Sequence, residues 1–217
     1  LNHNHDTKRI LAMIYYDPLY GQIELDELIA DMLNKCPELK RLRYIGMMNF
    51  RSINMLGLTS ISRLEHTIGL AYLSQIFSTA NNYSEKNNLL VASLYHDINC
   101  GSFGHSVEWA IKRFTPYQHE EKSDWISDEE KNQSIDKPLF IELNGLHRYK
   151  SKQRYNLSFD RIKGLIKGTH SFIINNNGID LDNIDNVYRM GFYLGLVTKD
   201  KDIPITLCKN LKLINNY

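Results

Sequence analysis

His96 and Asp97 stand side by side in Leu94-Tyr95-His96-Asp97-Ile98, and an adjacent imidazole and carboxylate can bind one divalent cation together. Upstream, Arg63-Leu64-Glu65-His66 adds a second imidazole. Downstream, Gly178-Ile179-Asp180-Leu181-Asp182 adds carboxylates. The set mixes nitrogen and oxygen donors without a thiolate, which suits zinc, manganese, iron or nickel. A metal held this way can turn water into a nucleophile and neutralise charge on a phosphoryl group.

Helices must position these residues. Apolar residues at Ile23, Leu25, Leu28, Ile29 and Leu33 form one stripe, which predicts a first helix over 23–33. Pro37 suits the start of a second helix through Leu39, Leu42, Ile45 and Met48. Ser62 with Glu65 three residues on is a capping-box pattern, opening a helix through His66, Ile68, Leu70, Leu73 and Phe77. Asn81-Asn82-Tyr83-Ser84 reads as a turn, with Ser84 capping a helix that ends near His96-Asp97. Consecutive helices pack as neighbours, so His66 and His96-Asp97 can meet. Gly101 and Gly104 bracket a tight loop before a helix from His105 to Phe114, in which His105 and Glu108 share a face. Residues 122–137 are charged and polar and read as a linker, with a lid as the alternative. Phe159, Ile162, Leu165 and Ile166 give another helix, ending at Gly168. Asn175-Asn176-Asn177-Gly178 signals a turn. Asp180 or Asp182 then opens a last clear helix through Ile184, Val187, Tyr188 and Phe192, and the tail from Lys199 is ambiguous. A hairpin over 15–23 would use Asp17-Pro18 and Gly21 as its turn.

The 217 residues suffice for one sizeable domain. A net charge of +1 supplies no global field for nucleic acid or a membrane surface. The basic run from His147 to Arg154 reads as a solvated loop, although it could hold a polyanion. No apolar run approaches the roughly 20 residues of a membrane span. Cys36, Cys100 and Cys208 are an odd number without close spacing, which argues against disulfides and a Cys-ligated zinc and points to a reducing cytoplasm. The chain opens on Leu1, as a fragment or processed product would, and residues 1–8 read as a frayed end.

In order along the chain, several segments resemble the HD-domain metal-dependent phosphohydrolases, and among them the deoxynucleoside triphosphate triphosphohydrolases. Asp17-Pro18-Leu19-Tyr20-Gly21 is similar to that branch's Asp-Pro-x-x-Gly opening, and Cys36-Pro37-Glu38-Leu39-Lys40-Arg41-Leu42-Arg43 to its Thr-Pro-x-Phe-Gln-Arg-Leu-Arg segment. Arg63 to His66, His96-Asp97-Ile98, Gly101 to His105, His119-Glu120 and Gly178 to Asp185 follow in the same order. An isolated His-Asp pair would be weak; the ordered series is specific.

The resemblance implies an all-α fold, an HD-domain helical bundle with a small N-terminal β-hairpin, as a single domain over 1–217. It implies one divalent transition metal (Mn, Fe, Zn, Ni or Co) on His66, His96, Asp97 and Asp182, with Mg accompanying substrate phosphates. Asp185 is either a rival to Asp182 or braces a ligand from behind. His105 would deliver a proton to the leaving oxygen while Glu108 holds its tautomer. His119 and Arg63 would lie near the substrate phosphates. The implied reaction splits a dNTP into deoxynucleoside and triphosphate in a cytoplasmic homo-oligomer, truncated here at the C-terminus, with nucleic acid not the main ligand.

The chain departs from that pattern in the substrate pocket. Cys100 stands where many members carry a catalytic His, Met47 where several have a sugar-contacting Gln, and Asn186 in place of a frequent Tyr. Asn183 replaces a common phosphate-binding Lys, and Met190 the Asp that follows Arg189. The metal set is intact while the nucleotide pocket has changed. That keeps open another phosphate ester, such as a nucleoside monophosphate or an alarmone, or a catalytically weak nucleotide-binding regulator.

Overall fold

A computed structural model describes residues 13–48, 60–101, 109–114, 155–169, 173–174, 179–198 and 200–212. The expectations for the frayed start, Gly104 and the beginning of the helix at His105, the 122–137 and 147–154 stretches and the 175–178 turn lie outside them.

The chain enters as a hairpin. Strands β1 (Met13–Asp17) and β2 (Gly21–Leu25) pair antiparallel, with Tyr15 opposite Ile23 and Asp17 opposite Gly21. Ile23 and Leu25 are buried while Gln22 and Glu24 are exposed, a period of two. The first predicted helix therefore began too early. Its first two apolar positions belong to a strand, and only Leu28, Ile29, Met32 and Leu33 form the buried stripe of α1 (Glu27–Lys35). Asp26 marks the change of period by accepting the Leu28 N–H at 3.0 Å as N-cap.

The second helix is shorter than expected. Pro37 opens α2 (Pro37–Arg41), which tightens into a 3-10 turn at Leu42–Tyr44. Ile45 is extended, and Gly46 forms an isolated bridge with Ser62. Met47 N–H donates to the Ile61 carbonyl and Arg63 N–H to that of Ile45, so backbone bonding to the start of the next helix replaces a further turn.

That next helix, α3 (Arg63–Ala80), opens on the expected capping box. Ser62 Oγ accepts from Glu65 N–H at 3.2 Å, and Ser62 N–H donates to Glu65 Oε2 at 3.2 Å. It is buried on nearly every side and is the axis of the molecule. Helix α4 (Lys86–Tyr95) makes with it the most extensive helix–helix contact. At its middle, Ser74 Oγ and Ser93 Oγ meet at 2.6 Å, both fully buried. Ser84 does not cap α4; Glu85 is the N-cap residue and makes no side-chain cap.

Helix α5 (Phe159–Lys167) packs on α4 and ends as expected at Gly168, whose φ of 68° favours a residue without a β-carbon. Helix α6 (Leu181–Tyr193) packs on α3, with Asp180 as N-cap accepting from Asn183 N–H at 2.7 Å. This leaves Asp182 in the first helical turn. The ambiguous tail forms α7 (Asp202–Asn210), also against α3. The buried apolar residues of the hairpin and all these helices form one cluster. No helix among the described residues is long and apolar enough to cross a membrane.

Candidate metal centre

His66 projects from the first turn of α3, and His96 is the C-cap residue of α4. Their rings meet edge to face with centroids 5.3 Å apart. Asp182, from the first turn of α6, completes a group whose ligand atoms lie within 4.8 Å of one another. Its Oδ1 is 2.8 Å from His66 Nε2 and 3.7 Å from His96 Nε2. Both histidines are buried, whereas the Asp182 side chain is 30% exposed, so the group opens to solvent on the α6 side.

The partners of the other ring nitrogens set the orientation. His96 Nδ1 lies 2.8 Å from the Ser93 carbonyl, which can only accept, so the proton sits on Nδ1 and Nε2 presents its lone pair inward. His66 Nδ1 lies 2.8 Å from Asp185 Oδ2. Both imidazoles are thus held from behind with Nε2 facing the gap, as metal-ligating histidines are. His96 Nε2 is buried and makes no hydrogen bond, while Asp182 Oδ1 pairs with His66 Nε2. An orphaned group of this kind costs about 1–3 kcal/mol unless something satisfies it. Two nitrogens and a carboxylate oxygen fit a divalent transition cation, which would take up the orphaned nitrogen.

Asp97 stands at the rim. Its Oδ2 is 3.6 Å from His96 Nε2 but is engaged by Arg63 Nη1, while Oδ1 accepts from Cys100 Sγ at 3.2 Å. It is therefore adjacent to the His66–His96–Asp182 group and not one of its three members. Burial works against ionising Asp97, yet His96 and the Arg63 guanidinium hold its carboxyl well below the usual range. Burial also disfavours charge on His66, but the carboxylates of Asp182 and Asp185 push its pKa up to about 10 in the metal-free protein. Asp182 is lowered against its own burial by His66 and His96.

Two sequence-predicted pocket residues are not members of this group. Met47 is half-buried on the Ile45–Met47 segment, and Asn186 follows Asp185 on α6 with its Oδ1 buried and unbonded. Cys100 is buried against Asp97. His105, Glu108 and His119 lie outside the described residues.

Asp185 stands on His66 Nδ1, where one of its two sequence readings put a brace, but sequence reasoning missed the rest of the frame. Arg41 donates from Nη1 to the Cys100 carbonyl at 3.0 Å and from Nη2 to that of Ile98, pinning the loop that follows His96-Asp97. Asp185 and Arg189 are fully buried and paired at i,i+4, with Nε to Oδ2 at 2.9 Å and Nη2 to Oδ1 at 3.0 Å. A charged pair on the apolar stripe of a helix was the available signal. Gly69 admits that pair. A β-carbon there would sit 2.2 Å from Arg189 Nη2 and 2.3 Å from Asp185 Oδ1.

The SAMHD1 homolog of Dictyostelium discoideum, a deoxynucleoside triphosphate triphosphohydrolase, is 28% identical over 223 residues, covering 88% of this chain. A crystal structure of a phosphohydrolase from Bacteroides thetaiotaomicron superposes with a TM-score of 0.62 over 94% of this chain, at 20% identity. The fold is that of the HD-domain phosphohydrolases. The chain spans only 38% of the first relative and 47% of the second. No family model matches the sequence.

Proposed function

We propose that the chain is a metal-dependent phosphohydrolase that cleaves a deoxynucleoside triphosphate to deoxynucleoside and inorganic triphosphate. The observation that carries the reading is the convergence of His66 Nε2, His96 Nε2 and Asp182 Oδ1, with His96 Nε2 buried and without a hydrogen-bond partner. The SAMHD1 homolog supplies the substrate class. A divalent cation bound by His66, His96 and Asp182, with Asp97 beside them, would supply Lewis acidity toward water and phosphoryl oxygen.

The chain's own residues do the rest. Arg63, held on Asp97, keeps positive charge at the rim where phosphate oxygens would approach. As water adds to the α-phosphorus and the bond to the nucleoside oxygen breaks, His105 gives that oxygen a proton and Glu108 fixes the His105 tautomer. His119 contacts the phosphates. We read the whole chain as one domain of a cytoplasmic homo-oligomer, and its three buried cysteines, none in a disulfide, accord with a reducing compartment.

One observation favours a second reading within the same chemistry. Cys100 occupies the position of a family imidazole and its thiol is spent on Asp97, while Met47 replaces a sugar-contacting Gln and Asn186 a frequent Tyr. These changes suit another phosphate ester, such as a nucleoside monophosphate or an alarmone. The test is incubation with Mn²⁺ and a panel of dNTPs, NTPs, monophosphates and an aryl phosphate, with the phosphate product identified. Inorganic triphosphate from a dNTP supports the first reading; orthophosphate from monophosphates supports the second. Tight nucleotide binding without turnover under any metal would leave a regulatory module and overturn both.

A further inference from the structure

The hairpin turn lies behind the metal centre and is wired to it. Asp17 Oδ1 accepts the N–H groups of Leu19 and Tyr20 at 2.8 and 2.9 Å, so the turn itself fixes the Asp17 carboxylate. That carboxylate faces the far side of Arg189, with Nη1 donating to Oδ1 at 3.3 Å and Nη2 3.1 Å from Oδ2. Tyr20 donates its phenolic proton to Asp185 Oδ1 at 2.8 Å. Asp185 thus has two partners on each oxygen: Tyr20 and Arg189 on Oδ1, Arg189 and His66 on Oδ2. A carboxylate saturated in this way cannot rotate without breaking a buried charged contact. Its last free direction is the one that holds His66 Nδ1.

On the metal reading above, we propose that Asp17 and Tyr20, through Arg189 and Asp185, are positioning residues that aim His66 Nε2 at the cation. The planar guanidinium is fixed between α6 and the hairpin by two carboxylates, Asp185 and Asp17. Without Asp17 it can swing from the bidentate position on Asp185, and Asp185 then holds His66 less firmly. A fully buried Arg with carboxylates on both sides is costly as mere packing; its geometry makes sense as a brace.

The experiment measures Zn²⁺ affinity of the metal-free full chain by competition with a chelator, alongside melting temperature. Asp17→Asn keeps the acceptor for the turn N–H groups and removes the charge facing Arg189. Tyr20→Phe keeps the ring and removes one bond to Asp185, which covers the case in which Asp17→Asn does not fold. Ile162→Val, in α5, lowers melting temperature without touching the network. The expected result is a loss of about 10-fold or more for Asp17→Asn, as for other groups that orient a metal ligand, and a smaller loss for Tyr20→Phe. Ile162→Val should bind as the wild type does. Affinities that simply follow melting temperature across the three variants, or wild-type affinity in both network variants, overturn the inference while leaving the metal reading intact. A wild type that binds no Zn²⁺ overturns both.

Discussion

The back and the front of the centre are built oppositely. Behind His66, Asp185 and Arg189 are fully buried and every oxygen of Asp185 is occupied. In front, Asp182 is 30% exposed with its Oδ1 on His66 Nε2, and His96 Nε2 accepts nothing. The back consumes its hydrogen-bonding capacity on the protein and fixes direction; the front leaves capacity open for something that comes and goes. His66 belongs to both, with Nδ1 turned to the saturated side and Nε2 to the unsaturated one.

Substitutions on the two sides should therefore fail differently. The largest effect is expected at the junction. His66→Ala should weaken Zn²⁺ binding by more than about 100-fold, beyond the loss typical of an orienting partner, and abolish hydrolysis. Retained metal stoichiometry in that variant by elemental analysis would remove His66 from the site. Next is the back wall. Gly69→Ala puts a β-carbon against Arg189 and Asp185, so it should destabilise the fold by about 1–3 kcal/mol in chemical denaturation, as overpacking does. An unchanged midpoint would mean that the pair is not held tightly. At the front, Asp182→Asn should cost about tenfold in metal affinity and shift stability by less than about 0.5 kcal/mol. A large stability loss there would erase the contrast between the two sides.

Proton linkage gives a subtler check. In the metal-free protein the folded-state pKa of His66 is raised from 6.5 to about 10, because carboxylates outweigh burial. The folded state therefore holds an extra proton within that window. The stabilisation is fully present below about 6.5 and is lost as pH rises through about 10. Metal-free protein should melt at lower temperature as pH climbs from 7 to 10. Because the cation must displace that proton, Zn²⁺ affinity should rise over the same range. A flat profile in both would mean that His66 is neutral. The smallest effect concerns a thiol far from the site. Burial pushes Cys208 up to about 12, so it should resist alkylation at neutral pH until the chain is unfolded.

The His-Asp cluster and two helix ends left local marks in the sequence, whereas Ser84 looked like a cap and is not one. His96-Asp97 is contiguous, the Ser62–Glu65 box fixes the start of α3, and Gly168 fixes the end of α5. Boundaries failed where two periods overlap. Ile23 and Leu25 fit a helical stripe when read onward to Leu28, yet they alternate with exposed Gln22 and Glu24 in a strand. Met48 looked like one more helical position because nothing in the 45–48 stretch announces that its backbone pairs with Ile61 and Ser62. Asp185 and Arg189 are marked only by their i,i+4 spacing on a buried stripe, while Asp17 meets Arg189 across 172 positions and carries no sign of it. Arg41, whose partners are backbone carbonyls, is hidden for the same reason.

The Ser74–Ser93 contact has a mechanical consequence. Apolar surfaces alone would tolerate sliding of α3 along α4, since leucine against leucine is nearly equivalent one turn away. Two interior hydroxyls are not: a slip would strand Ser74 in hydrocarbon, away from Ser93, whose own hydroxyl is held on the Leu89 carbonyl at 2.8 Å. The pair therefore acts as an index mark between the helices, keeping His66 and His96 level with one another whether or not anything sits between them.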